Sequence, residues 1–310
     1  MKNRLPSGFR QEIPDARASR ALGILNGLNV RTVCAQARCP NLTRCFKNRE
    51  ITFIILGDVC TRNCRFCAVR KSPDSHLTVD AGEPKRVAHA VKTLGLEYVV
   101  ITSVTRDDLS DGGARHFSET IDCVQNVNGC VKVEILIPDF KGKRTSLEAV
   151  VAAGPSVIGH NLETVKRLYA QVKPDSDYGI SLEVLRAIKE INPAMVTKSS
   201  LMLGIGEQQP ELVAAMRDLR EAGCDMLVLG QYLAPSPAHY PIRDFIREEN
   251  FKIYRNIAVD LGFKAVSAEP LARSSYHAGK LYAEVLLPLR GISLNRYIEV
   301  LVPPSGDFTK

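Results

Sequence analysis

Beyond residue 50 the chain alternates between two hydrophobic patterns. Short, nearly continuous apolar runs predict buried strands at 51–57, 98–104, 131–137, 156–160, 196–203 and 225–230. Segments with apolar residues three or four positions apart predict helices at 84–94, 113–127, 182–191 and 210–222. Buried strands alternating with amphipathic helices indicate a parallel sheet covered by helices.

The number of these units limits the possible folds. Six strand–helix units are two fewer than a closed eightfold barrel needs. We therefore predict an α/β fold, a partial (β/α)6 TIM-like barrel over residues 51–262, with a doubly wound open sheet as the alternative. Residues 1–50 and 263–310 are expected to be N- and C-terminal extensions packed over the active-site face. That face lies at the carboxyl ends of the strands.

Composition is that of a globular protein without a membrane span. The 310 residues are 45% hydrophobic and 24% charged, and no apolar run approaches the roughly 18 residues that cross a bilayer. We expect a cytoplasmic protein that does not bind membranes. The net charge of +7 is read as spread out, because long Lys/Arg blocks are lacking. This pattern favours an acidic protein partner or an anionic cofactor over nucleic acid.

Six of the nine cysteines form two triplets. The first is Cys34, Cys39 and Cys45, and the second, directly after the first predicted strand, is Cys60, Cys64 and Cys67. Iron–sulfur clusters are normally held by four thiolates, so three on one loop hold three irons and leave the fourth iron open. Two triplets predict two such clusters. The other cysteines, in helix- or strand-like surroundings, are expected to be buried packing residues, namely Cys123, Cys130 and Cys224.

Disulfides and structural zinc are the alternatives for the triplets. Disulfide frameworks belong mostly to small secreted proteins, and the first twenty residues contain no secretory apolar segment. Zinc also takes thiolates in groups of four. However, neither triplet has the paired spacing of a zinc ribbon, and no histidine completes one nearby.

The second triplet resembles the signature of the radical S-adenosylmethionine superfamily. Its three-then-two spacing places the aromatic Phe66 before Cys67. In that superfamily the open iron of a 4Fe-4S cluster chelates the amino and carboxylate groups of S-adenosylmethionine. An electron from the cluster then cleaves the sulfonium to a 5′-deoxyadenosyl radical. The resemblance implies the same cofactors here.

The first triplet narrows the resemblance to the lipoyl synthase family. CAQARCPNLTRC precedes the radical signature, and ARSSYHA follows at 272–278; further matches run through TRDDLSDGGARHF, VEILIPDFKG, GHNLETVKRLY, TKSSLMLGIGE and GCDMLVLGQYL. The resemblance covers roughly residues 30–280. It implies an auxiliary 4Fe-4S cluster on the first triplet, with Ser275 as fourth ligand. That cluster would donate the sulfur inserted at C6 and C8 of a protein-bound octanoyl chain.

Several polar residues are weaker candidates for the site. Asn161 and Glu163, at a strand-to-helix junction, either bind S-adenosylmethionine or, for Asn161, cap the following helix. Thr102 and Ser103 end the second predicted strand, where radical enzymes often bind the methionine amino group. Arg273 is a candidate for guiding the departing iron or the substrate amide.

Two further polar groups have mainly structural interpretations. The cluster of Arg106, Asp107 and Asp108 is read as ion pairing. His160 fits a packed histidine as well as a ligand.

The same resemblance implies the partners. These are an octanoylated lipoyl-carrier protein, either a dehydrogenase E2 lipoyl domain or a glycine-cleavage H protein, and an electron donor such as ferredoxin or flavodoxin. The rival functions are a methylthiotransferase, which also carries an N-terminal cysteine triplet, and a non-catalytic iron–sulfur or zinc protein. The tail at 284–304 is strand-like and matches nothing in the family pattern.

Overall fold

A computed structural model describes residues 15–72 and 77–290, with side chains described through residue 287. Its strands are β1 Arg31–Thr32, β2 Thr52–Ile55, β3 Val59–Cys60, β4 Arg70–Lys71, β5 Tyr98–Ser103, β6 Lys132–Leu136, β7 Val157–Gly159, β8 Val196–Leu203, β9 Met226–Gln231 and β10 Ala265–Glu269. Its helices are α1 Ala16–Gly27, α2 Val33–Gln36, α3 Leu42–Lys47, α4 Glu83–Leu94, α5 Ala114–Asn128, α6 Arg144–Ala152, α7 Tyr169–Val172, α8 Tyr178–Ile191, α9 Gln209–Glu221, α10 Glu248–Asp260 and α11 Ala278–Arg290.

Eight of the strands form one sheet in the order β1-β2-β5-β6-β7-β8-β9-β10. Seven of them, β2 and β5 to β10, run parallel, and β1 pairs antiparallel with β2 at the edge. Because neighbours follow chain order without reversal, the strands wind in one direction, as in a barrel, and not as in a doubly wound sheet. The partial barrel is confirmed, and within the described residues it does not close.

The sheet has one more parallel strand than the hydrophobic pattern predicts. The added strand, β10, lies beyond residue 262 and pairs with β9 from Ala265↔Met226 to Glu269↔Gly230. Its sequence, AVSAE, is short and partly polar, so its apolar run is too weak to predict a strand. The core sheet therefore extends into the segment expected to be a C-terminal extension.

All four predicted helices are present, as α4, α5, α8 and α9, with boundaries shifted by up to four residues. Proline and glycine set the limits of α4: Pro84 lies in its first turn, and Gly95 ends it in the left-handed conformation. The helices α1, α6, α10 and α11 were not predicted. The strand-like interpretation is wrong for 284–290, which belong to α11, and 291–304 lie outside the described residues. Within the described ranges, no helix has the length and apolar character to span a bilayer.

Helix α11 packs against β5, near one end of the sheet order, and against β9 and β10, at the other end. Leu281 and Val285 of this helix join a buried cluster with Met226 and Val228 of β9. Near its beginning, Gly279 lies against the ring of Tyr98 at the start of β5. The helix therefore bridges the open side of the barrel and anchors the segment that precedes it.

A buried ion pair joins two strands in the interior. The Lys198 ammonium lies 2.8 Å from Oε1 of Glu134, and both side chains are nearly inaccessible to solvent. The Tyr98 hydroxyl donates to Oε2 of the same carboxylate at 2.6 Å. Each charge therefore depends on the other, since an unpaired buried charge is costly.

Replacing Lys198 with Met is expected to lower the free energy of unfolding by about 3–5 kcal/mol, because it leaves the charge of the buried Glu134 carboxylate without a positive partner. Urea unfolding followed by circular dichroism measures the loss. Arg186→Met, which breaks the exposed pair with Glu183, is the control and should cost less than about 1 kcal/mol. A double variant Glu134→Gln/Lys198→Met should recover part of the loss. An equal loss of stability in Lys198→Met and Arg186→Met would contradict the prediction.

Candidate radical and sulfur-donor site

One cavity of about 650 Å³ opens at the carboxyl ends of the strands. Strand-end residues Thr102 and Ser103 of β5 and Gly230 and Gln231 of β9 line it. All six triplet cysteines also line this cavity, together with Arg273, Ser274 and Ser275. The two triplets and the C-terminal segment, which are far apart in sequence, are therefore brought together.

The second triplet lies on a loop that leaves β2 through a left-handed turn. Leu56 has φ +66° and Gly57 has φ +89°. The Leu56 N–H donates to the carboxylate of Glu83 at 2.7 Å, and that carboxylate also lies 2.8 Å from Nε2 of His116. A non-glycine residue in this conformation is strained, and the buried carboxylate stabilises the turn that leads into the cysteines.

Arg62, between the first two cysteines of this triplet, clamps the loop to the barrel. Its guanidinium is 6% exposed and makes paired contacts with the carboxylates of Asp107, at 2.7 and 3.0 Å, and Asp139, at 2.6 and 2.7 Å. Burial alone would raise the pKa of Asp139, but Arg62 lowers that pKa to about 2. Bidentate pairs of this kind fix geometry. Arg62 therefore fixes the position of the cysteine loop relative to the barrel.

Polar contacts hold the segment of the first triplet to the C-terminal segment. The Asn41 amide donates to the carbonyl oxygen of Leu271 at 2.6 Å. Nδ1 of His277 lies 2.8 Å from a carboxylate oxygen of Glu50. These contacts flank Ser275 on both sides in sequence and position the segment beside the first triplet.

Gly230, in β9, lets this segment cross the barrel mouth. A Cβ atom at this position would lie 2.0 Å from the carbonyl oxygen of Ala272, a distance that no real side chain allows. In the same crossing the Gln231 N–H donates to the Pro270 carbonyl at 3.1 Å. The close approach of two backbones therefore places Arg273 and Ser275 over the cavity.

The thiols suit an iron–sulfur cluster better than a single ion. All nine cysteines are unpaired by disulfides. Burial raises the pKa of Cys34 to about 11 and that of Cys64 to about 12, so a bound cation must displace their protons and supply the missing charge. In the described part of the chain, no three His, Cys, Asp or Glu side chains converge on one metal ion. Cysteines around the walls of a cavity match a cubane, whose separate irons take separate ligands.

The polar side of the cavity contains groups without partners. Among the described side chains, Oγ of Ser103 and Oδ1 of Asn161 are buried and accept or donate no hydrogen bond. The Asn161 amide donates to Glu163 at 3.0 Å, and burial raises the pKa of Glu163. Buried polar atoms are normally paired, so this wall is built for a polar ligand.

Lys173 adds a buried cation to the same wall. Its ammonium donates to the Tyr169 hydroxyl at 3.0 Å and lies 3.3 Å from the Asn161 carbonyl oxygen. Burial works against its charge, but Tyr169 and Glu163 still hold the pKa of Lys173 above its ordinary value. A charged ammonium facing a cavity suits a carboxylate ligand.

Three other predicted residues also line the cavity. The Thr102 hydroxyl donates to the Leu136 carbonyl at 2.9 Å, so it is committed to the sheet. Phe66 packs against the hydrophobic cluster formed by the second half of the barrel. Arg273 donates to the carbonyl of Ala272 at 2.7 Å.

Other sequence candidates have structural roles. His160 is buried, bonded through Nδ1 to the Ile137 carbonyl and through Nε2 to Ser181, and burial lowers its pKa to about 4; it is a packed neutral histidine. Arg106 pairs with Asp108 at 2.7 Å, as expected, whereas Asp107 pairs with Arg62.

The expectation for the remaining cysteines holds for only one of the three. Cys224 is fully buried, Cys123 is half-buried and Cys130 is exposed. The Cys130 expectation is wrong because the residue follows Gly129, at the end of α5, and lies in the turn before β6. An apolar neighbourhood in sequence does not show which residue of a turn points outward.

Arg62 and Lys173 are the residues that sequence reasoning missed. Arg62 lies inside the triplet, and its partners Asp107 and Asp139 belong to two of the quoted segments, so pairing those signals with the arginine would have identified it. Lys173 lies in a polar stretch, VKPDSDYG, with no local feature that separates it from a surface lysine.

Comparisons with known proteins agree with this geometry. The Radical SAM superfamily matches residues 54–230. The fold is similar to methylornithine synthase (PylB), with a TM-score of 0.51 and 13% identity over 95% of this chain and 98% of that chain. It is also similar to HydG, a maturase of the [FeFe]-hydrogenase, with a TM-score of 0.55 and 16% identity over 81% and 63%. Fold and site thus define a radical S-adenosylmethionine enzyme.

Relatives that are similar in sequence over most of the chain identify its family. The lipoyl synthase of Geobacter metallireducens is 50% identical over 277 residues, which are 89% of this chain and 97% of that protein. The lipoyl synthase of Caldanaerobacter subterraneus subsp. tengcongensis is 48% identical over 278 residues, 90% and 97% of the two chains. The chain belongs to the lipoyl synthase family, whose cofactors are 4Fe-4S clusters and S-adenosylmethionine.

Replacing Gly230 with Ala is expected to displace the segment that carries Ser275, because the new methyl group meets the Ala272 carbonyl. Anaerobically reconstituted protein should then hold measurably less iron than the about eight per chain of two complete clusters, because the site of the first triplet loses its fourth ligand. Gly23→Ala, in α1 with nothing within 4 Å of the new methyl, is the control and should keep the full iron content. Full iron in both variants would contradict the proposed crossing.

Proposed function

We propose that this chain inserts sulfur at C6 and C8 of an octanoyl chain attached to a carrier-protein lysine and so forms the lipoyl group. The observation that carries the proposal is the single cavity lined by both cysteine triplets and Ser275. Hydrogen abstraction and sulfur transfer must act on the same carbon in succession. A shared cavity lets one substrate chain meet both groups without leaving the protein.

The second triplet and the polar wall are assigned to S-adenosylmethionine. When bound, the cluster on Cys60, Cys64 and Cys67 supplies the electron that cleaves the sulfonium. Lys173 is the side chain whose charge complements the methionine carboxylate. Ser103 and Asn161 offer the unpaired polar atoms that orient the ligand, with Glu163 held in place by Asn161.

The other end of the cavity is assigned to sulfur donation. Cys34, Cys39 and Cys45 supply three thiolates, and Ser275 supplies an oxygen. An alkoxide is a harder and weaker partner for iron than a thiolate, so Ser275 is suited to letting one iron go. Arg273, held beside it by the Ala272 carbonyl, is positioned to meet the substrate amide.

The partners and domains are assigned accordingly. The substrate is an octanoylated lipoyl carrier, an E2 lipoyl domain or a glycine-cleavage H protein, and ferredoxin or flavodoxin is the electron donor. Residues 1–50 carry the sulfur-donor cysteines, 51–262 carry the radical barrel except for its last strand, and 263–310 carry that strand, β10, and the serine segment.

The decisive experiment is an anaerobic assay with octanoyl-lysyl peptide, S-adenosylmethionine and a chemical reductant. Mass spectrometry should detect peptide carrying two added sulfur atoms. A methylthiotransferase would instead yield methylthio products, and a non-catalytic iron–sulfur or zinc protein would leave S-adenosylmethionine uncleaved. Either result would reject the proposal.

The two triplets should fail differently. Cys64→Ala should abolish formation of 5′-deoxyadenosine, because it removes a ligand from the cluster that supplies the electron. Cys39→Ala should still form 5′-deoxyadenosine but no sulfur-containing product. Cys224→Ala, a buried cysteine outside the cavity, is the control for loss of a thiol. Normal lipoyl product from Cys39→Ala would refute the sulfur-donor role.

Ser275→Cys is expected to keep full iron content and to slow sulfur insertion at least tenfold, because a thiolate binds the fourth iron more firmly than an alkoxide. Cleavage of S-adenosylmethionine should change little. Ser274→Cys is the matched control, since its side chain is not assigned to iron. Iron analysis and product quantification measure both effects, and equal behaviour of the two variants would argue against the assignment.

A further inference from the structure

The positive charge of the chain is concentrated, contrary to the even spread expected above. Residues 1–50 contain ten Lys and Arg against three Asp and Glu, a net charge of +7. Residues 51–310 contain 31 of each and are neutral. The whole charge excess therefore belongs to the segment that carries the first triplet. Such asymmetry indicates an anionic partner for that segment.

The described part of this segment, residues 15–50, forms a basic layer on the barrel. Its exposed cations are Arg17, Arg20, Arg38, Arg44, Lys47 and Arg49. Its two acids are already engaged, because Asp15 lies 3.5 Å from Lys47 and Glu50 binds His277. The layer therefore keeps a net positive surface.

The basic layer borders the cavity at the sulfur-donor end. Arg38 lies between Cys34 and Cys39, and it lines the cavity together with Ala37 and Pro40. Helix α1 packs on α3, which carries Cys45. A protein that lands on this layer thus has its nearest entrance beside the first triplet.

We propose that the basic layer is the docking surface for the octanoylated carrier, a protein domain with acidic residues around its modified lysine. The inference rests on the proposed function and adds the location and charge of the contact. Complementary charge accelerates encounter and fixes register. The octanoyl chain then enters at the Arg38 edge, next to the proposed sulfur donor.

Two other anionic partners fit less well. An electron donor must approach the second triplet, where the nearby exposed charges are mixed: Arg70 pairs with Asp58 at 3.0 Å, and the Asn63 N–H binds Asp175. Single-stranded nucleic acid normally stacks on aromatic side chains, but the single aromatic residue in the described part of the layer, Phe46, is buried.

The test compares two double charge reversals. Arg20→Glu/Lys47→Glu changes the basic layer, and Arg217→Glu/Lys252→Glu changes exposed cations on α9 and α10 by the same net charge. Turnover is measured at low salt, with a chemical reductant, on a whole acidic carrier and on a neutral octanoyl-lysyl peptide. For the layer variant we expect KM for the carrier to rise about tenfold while the peptide is unaffected. The control variant should change KM by less than about twofold.

Several results would overturn the inference. One is an equal change in KM for the carrier in the two variants. Another is a layer variant whose turnover is impaired only when a flavodoxin replaces the chemical reductant. A third is tighter binding of a short RNA than of the carrier by the unaltered protein. No product from either substrate with the unaltered protein would instead reject the proposed function. If Lys47→Glu lowers the melting temperature, a second double variant replaces Arg20→Glu/Lys47→Glu. This variant is Arg17→Glu/Arg20→Glu, which is confined to the exposed side of α1, and the expected result is the same.

Discussion

The crossing of the C-terminal segment over the barrel mouth is the constraint on which the rest of the site depends. It needs a residue without a side chain at Gly230, and it is held by Asn41 on one side and Glu50 on the other. No single one of these polar contacts would hold the segment alone, because one hydrogen bond contributes only about 1 kcal/mol. Helix α11 adds the apolar anchor. Burial of Leu281 and Val285 fixes the chain immediately after the serine segment.

The two ends of the cavity are held in different ways. The second triplet belongs to the barrel itself, and Arg62 ties its loop to the carboxylates of Asp107 and Asp139. The first triplet lies in a layer of short helices that contacts the barrel edge through β1. The layer also packs into the hydrophobic core of the barrel, through Leu25, Val30 and Phe46.

Burial and charge are balanced throughout the cavity. Burial raises the pKa of the thiols, so they stay protonated until a cation binds. Binding of a metal ion therefore releases protons. Lys173 keeps its charge at the opposite wall because Tyr169 and Glu163 compensate for burial. Outside the cavity, the charges of the barrel cancel and only the N-terminal segment is basic. The charges inside the cavity therefore fit the small ligand that we propose there, and the charge of the N-terminal segment fits the protein partner that we propose for it.

The sequence by itself determined the strand–helix alternation, the two triplets and the position of the second triplet after the first barrel strand. These features are local: continuous apolar runs report buried strands, and cysteine spacing reports ligand sets. It also determined the charge asymmetry, which needs only counting. The tertiary structure decided which distant groups meet. Arg62 binds two carboxylates, Lys173 faces the cavity, and Ser275 lines the same cavity as the first triplet although more than 200 residues of sequence separate them. No local pattern encodes such contacts, because they join side chains of different strand-end loops; the place of the serine segment depends in addition on the packing of α11 and on backbones close enough to exclude a Cβ at Gly230.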